Sequence, residues 1–168
     1  MADEAKISMT AQMLPNKISK LLTGLTVEVA PQDANDKWFW DIVNVSNSSG
    51  NIIAGVFVTG DGGHAAGAAA TAISNSDKVK FLFIKNTGTT DGSTATSEAI
   101  NICFDGGTAA YDLVDGIEIG TGEVWFGKLP NTTVDNIHAV SVDSNMAHSG
   151  SAGEGNVQCL IFAIIDDV

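Results

Sequence analysis

The chain has no arginine. Its 8 basic residues are all lysine, set against 20 Asp and Glu, which gives a formal net charge of −12 over 168 residues. Phosphate backbones are gripped by guanidinium forks and basic patches, so both counts argue against a nucleic-acid partner. Long apolar runs are missing as well. The longest, such as CLIFAII at 159–165, fall well short of the roughly 20 residues that a membrane helix needs. The opening MADEAK has neither the basic flank nor the apolar region of a secretion signal, so synthesis in a cytoplasm is expected. Cys103 and Cys159 sit in the apolar stretches INICF and VQCLIF. Two such distant thiols make no disulfide framework and read as small buried hydrophobes.

Catalytic motifs are equally scarce. No G-x-S-x-G elbow, P-loop, H-E-x-x-H or EF-hand loop occurs. The histidines His64, His138 and His148 stand singly, without the spacing that lets two rings share a metal. Most carboxylates lie in turns, as in TTDGS, FDGG, VDNI and VDSN, where Asp caps nearby backbone amides. Nothing selects a pair for glycoside chemistry, and no catalytic residue is nominated. No cofactor is expected, calcium being the one ion that acidic loops of a β-sandwich can gather.

What is present begins with VFVTGDGGHAAGAAATAIS at 56–74, in which Gly60, Gly62 and Ala65 satisfy the spacing of a dinucleotide fingerprint. That reading needs parallel strands with crossover helices and an acidic residue closing the second strand. Asp77 instead precedes the next strand, and Asp61 would set its charge against the phosphates. Residues 60–76 therefore read as a long connection of small residues, able to pack closely against another backbone.

Residues 1–24 lack aromatics, and Met9, Met13, Ile18, Leu21 and Leu22 recur near helical spacing. Pro15 suits a helix start and Gly24 a stop, which predicts an arm with a short helix near 15–23. From Leu25 onward the spacing predicts strands near 25–30, 38–45, 51–58, 79–85, 98–104, 116–120, 123–129, 134–142 and 156–165. Gly, Asn, Asp and Ser clusters punctuate them. In KVKFLFIK, alternation sets Val79, Phe81, Phe83 and Lys85 on one face and Lys80, Leu82 and Ile84 on the other. The expected fold is all-β: an antiparallel, jelly-roll-like sandwich over 25–168, with residues 1–24 as an N-terminal arm. In KWFW, Trp38 and Trp40 share one strand face and Phe39 takes the opposite one; Trp125 and Phe126 repeat this two-sided arrangement. One sheet face goes to the core, so the other carries large apolar area outward.

The succession KFLFIKNTG, AINICFDGG, GIEIGTGEVWFGKLPNTTVDNIHAVSV and VQCLIFAII resembles the small β-sandwich structural proteins of tailed bacteriophages, the head-decoration and fibre-type components. The likeness covers about half the chain and lies in its rhythm of turns and strands. It implies a non-enzymatic virion protein, made in the bacterial cytoplasm and seated on the capsid surface against the major capsid protein, often as a homotrimer. On this reading Met9, Leu14, Ile18 and Leu21 of the arm, with Trp38, Trp40 and Trp125, are the capsid or subunit contacts, because interface anchors are large apolar or aromatic residues. The alternative is a carbohydrate- or receptor-binding module of a tail fibre or adhesin, with tryptophan as the stacking platform.

Overall fold

In DKWFWDIVNV, Phe39, Val43 and Val45 fall to one side and Trp38, Trp40 and Ile42 to the other, and the stretch forms strand β3 (Asp36–Val45). The structure, a computed structural model, describes residues 5–9, 25–58, 71–109, 116–143, 153 and 155–168. The chain divides into two compact units between Ala34 and Asn35. In the first, β1 (Ala5–Met9) and β2 (Leu25–Val29) pair antiparallel, Ala5 lying opposite Val29 and Met9 opposite Leu25.

The second unit starts with β3 and continues with β4 (Gly50–Asn51), β5 (Lys78–Asn86), β6 (Ala99–Cys103) and β7 (Ile117–Ile119). After these come β8 (Val124–Thr133), β9 (His138–Val142) and β10 (Val157–Asp166). They form two antiparallel sheets, ordered β3-β10-β5-β8 and β4-β9-β6-β7. The pairing is nested: β3 with β10, β4 with β9, β5 with β8 and β6 with β7. A long antiparallel hairpin rolled up across two sheets gives this order, which is that of a jelly roll. The all-β sandwich expected from the sequence is thus the observed architecture.

The sheets are held together by their inner faces. Phe39, Leu82, Ile84 and Ile161 from one meet Ile100, Ile102, Ile119 and Ala139 from the other in a single buried cluster. Each fully buried Phe, Leu or Ile contributes about 1.5–3 kcal/mol of transfer free energy.

Four local expectations need correction. The strand expected over 51–58 is reduced to Gly50–Asn51. Gly55, at φ +101, turns the chain out of the extended line, leaving isolated bridges such as that from Val56 to Ala72 while Ile52, Ile53 and Phe57 still reach the core. The strand expected from 134 begins at His138, because β8 runs on to Thr133 and Val134–Asn136 form a 3₁₀ turn. Val79 does not share a face with Phe81: a register shift between them turns Val79 into the core opposite Ile165. Finally, Ala5–Met9 is a strand for which no strand was expected. The helix expected near 15–23 and residues 60–70 of the glycine-rich connection lie outside the described residues.

Candidate functional site

The sheet β3-β10-β5-β8 has one face in the core. Its opposite face is built by register, since residues directly opposite on antiparallel neighbours point the same way. Trp40 lies opposite Phe162, Phe162 opposite Phe83, and Phe83 opposite Phe126. An aromatic side chain from each of the four strands thus forms a row across the sheet. On one side of it runs Trp38, Ile164, Phe81 and Lys128; on the other, Ile42, Leu160, Lys85 and Val124. Every position in these three rows is apolar except the two lysines.

The rings lean on one another, with centroids 5.0 Å apart for Trp38 and Phe162 and 6.5 Å for Phe81 and Phe126. Phe81 and Ile164 are buried, whereas Trp40, Ile42 and Val124 retain 36%, 53% and 45% of their accessible surface. Lys85 and Lys128 are exposed, and neither makes an ion pair among the described residues. At one end of the face, Lys80 Nζ lies 2.6 Å from Asp36 Oδ1 and 3.2 Å from Asp166 Oδ2. The hydrogen bond to Asp36, reinforced by Asp166, raises the Lys80 ammonium above its usual 10.5 despite an opposing desolvation effect.

Two of the three nominated tryptophans belong to this face. Trp125 does not. It points inward from β8, packs on the core and meets Phe104 at 5.1 Å between centroids. Gly127 makes room for it, since a Cβ there would lie 3.0 Å from the indole ring. Phe126 is the outward residue. Met9 lies in β1, and Leu14, Ile18 and Leu21 lie outside the described residues. Phe83, Phe126 and Phe162 were not nominated; strand order sets Phe162 opposite Trp40 and carries the row on through Phe83 to Phe126.

The polar groups with chemical potential are occupied elsewhere. Asp91 accepts the N–H groups of Ser93 and Thr94 and both their hydroxyls, and these bonds, the Thr94 amide foremost, hold its carboxyl down to about 2. Asp77 accepts the Ser74 N–H at 2.8 Å, Asp105 that of Gly107 at 2.9 Å, and Asp135 the side-chain amides of Asn51 and Asn75. Where Asp36 and Asp166 converge, the Lys80 ammonium supplies the cation. Cys103 lies opposite His138 across β6 and β9, and both contact the carbonyl oxygen of Gly107, the thiol at 3.4 Å and His138 Nδ1 at 2.6 Å. Burial pushes the Cys103 thiol up, so it stays protonated near neutral pH, and Cys159 is pushed up to about 12 by burial alone. A nucleophile needs the opposite shift. His64 and His148, like Gly60, Gly62 and Ala65, lie outside the described residues. Among the described residues, no helix is long and apolar enough to cross a membrane.

Compared with known proteins, the chain matches no protein-family profile, no curated protein and no solved structure.

Proposed function

We propose that this chain is a non-catalytic structural protein of a phage virion that decorates the assembled head. One observation carries the reading: the outer face of the β3-β10-β5-β8 sheet is mostly apolar, with Trp40, Ile42 and Val124 exposed on it. Large apolar side chains exposed together on one face mark a contact with another macromolecule. Asp77, Asp91, Asp105, Asp135, His138 and the thiols described above serve turns and core, and Asp36 and Asp166 are engaged by Lys80. A decoration protein works by mass action. It binds the assembled shell and not its separated subunits, so each copy stabilises the shell by its binding free energy.

A glycan platform is the less supported alternative. Sugar sites set hydrogen-bonding groups beside the stacking ring, and the three central rows supply only Lys85 and Lys128. The first unit, Met1–Ala34, is a compact unit of its own, and in this reading the leading segment is the anchor to the shell. The test is co-sedimentation with heads of the encoding phage that lack the protein. The full chain is expected to bind saturably and to raise the temperature at which the heads disassemble, whereas a chain starting at Asn35 is expected to stay folded and lose binding. Failure of the full chain to bind overturns the decoration reading, and undiminished binding by the shortened chain removes the anchor role.

A further inference from the structure

A bulge in β5 singles out Lys80. The ladder skips this residue on both sides: Ile165 and Ile164 of β10 pair with Val79 and Phe81, and Thr132 and Lys128 of β8 do the same. Strict alternation would set Lys80 on the face of Leu82 and Ile84, both fully buried in the core. The extra residue re-aims its side chain away from the core, to the end of the sheet where Asp36 and Asp166 lie opposite each other. There Lys80 Nζ is 2.6 Å from Asp36 Oδ1 and 3.2 Å from Asp166 Oδ2. The Asp36 side chain is wholly buried, whereas those of Lys80 and Asp166 keep 34% and 23% of their accessible surface.

An exposed ion pair is held loosely and contributes little. This one is fixed by a bulge and keeps a carboxylate out of water at a desolvation cost. Condensation to an amide removes both charges, and with them that cost. Groups held in contact react as though at an effective concentration on the order of 10⁵ M or more. We propose that Lys80 and Asp36 form an intramolecular isopeptide bond, with Asp166 as the proton carrier. A proton passes from the Lys80 ammonium, through Asp166, to the Asp36 carboxylate, giving amine and carboxylic acid with no change in total charge. The Nζ lone pair attacks Asp36 Cγ, and the C–N bond forms. Asp166 takes a second proton from the nitrogen and hands it to the departing oxygen, the C–O bond breaks, and one water leaves. Asp166 ends as it began, and no oxidant or co-reactant is needed. The ion pair holds Lys80 protonated, so the amine is the minor form and linkage follows folding slowly. The bond ties β3 to β5 across β10, and it stands or falls independently of head binding.

The test is the intact mass, under denaturing conditions, of the full chain after incubation in its folded state until the mass is constant. The wild type is expected to be one water lighter than its sequence predicts, and a proteolytic digest should contain a branched peptide joining the segments around Asp36 and Lys80. Lys80→Arg keeps the cation without the primary amine and is expected at full mass, as is Asp36→Ala. Asp166→Asn keeps the size of the side chain without its proton-carrying carboxylate and should slow linkage about a hundredfold. Circular dichroism establishes that each variant is folded. A cyclic imide at an Asp-Gly step such as Asp91-Gly92 loses the same mass but opens in hydroxylamine, which leaves the amide intact. A wild type that stays at full mass, a hydroxylamine-resistant water loss that survives Lys80→Arg, a branch at Asp166 in place of Asp36, or linkage of Asp166→Asn at the wild-type rate each overturns the proposal.

Discussion

Phe39 and Trp40 are chain neighbours with opposite environments. Phe39 is 0% exposed in the core between the sheets, and Trp40 is 36% exposed on the outer face. Phe39→Ala leaves a cavity that packed neighbours cannot fill, and is expected to lower unfolding free energy by about 3–5 kcal/mol. Trp40→Ala removes a ring that water already reaches, and is expected to cost roughly 1 kcal/mol or less. Urea unfolding of the two variants checks the contrast, and equal losses would mean that the face is not a surface. Asp91 makes a second residue-scale case. Its carboxyl is held at about 2, against an ordinary 3.8, chiefly by the Thr94 amide. A depressed folded value means that its contribution is present above about pH 4 and lost as pH falls through about 2. Carbon NMR of the carboxyl should follow that midpoint in the folded chain, and Thr94→Ala should move it upward by removing the hydroxyl bond to Oδ2.

The strand ends are tied by side chains that spacing alone does not reveal. Asn86, the last residue of β5, is fully buried; its amide donates to the carbonyls of Glu98 at 3.0 Å and Ile119 at 3.3 Å, and its oxygen accepts the Gly88 N–H at 2.9 Å. One residue thus joins β5 to the approach to β6 and the end of β7. Asn86→Ala abandons three hydrogen bonds at a fully buried position and is expected to cost about 3 kcal/mol. Thermal unfolding reads this directly, and a loss within experimental error would mean that water replaces the amide. The runs of β3, β5 and β10 were legible because β-branched and aromatic residues bounded by turn residues read as strands. The segment 51–58 was not, because Ile52, Ile53 and Phe57 are as buried as strand residues while Gly55 at φ +101 breaks the line they would follow. The inward turn of Val79 was hidden for a related reason: a bulge reverses alternation without changing composition. The site was half legible. Trp38 and Trp40 announce an outward apolar face from one strand, but their continuation through Phe162, Phe83 and Phe126 depends on strand order, which is set by pairings between distant parts of the chain.

For the whole molecule, the nested winding concentrates closure on the last strand. β10 lies between β3 and β5, pairs with both along nearly its whole length, and sends Val157, Cys159, Ile161, Ala163 and Ile165 into the core at 0% exposure. Without it, β3 loses its neighbour in the sheet and the two inner faces lose a row of contacts. A chain ending at Asn156 is therefore expected to lose the sandwich, whereas a chain starting at Asn35 keeps every strand of both four-stranded sheets and is expected to unfold cooperatively. The same topology sets the rate. Asp36 pairs with Asp166, so the first strand of the sandwich has no sheet partner until the last arrives, and the loop-closure entropy of nearly the whole unit opposes folding before those contacts reward it. Refolding of the Asn35–Val168 chain from denaturant is expected in the millisecond-to-second range typical of non-local β-folds. In pulse-labelling hydrogen exchange, the amides of β3 should gain protection together with those of β10. Protection of β3 before β10 would show that the sandwich nucleates without its closing strand, and would displace β10 as the element on which the fold depends.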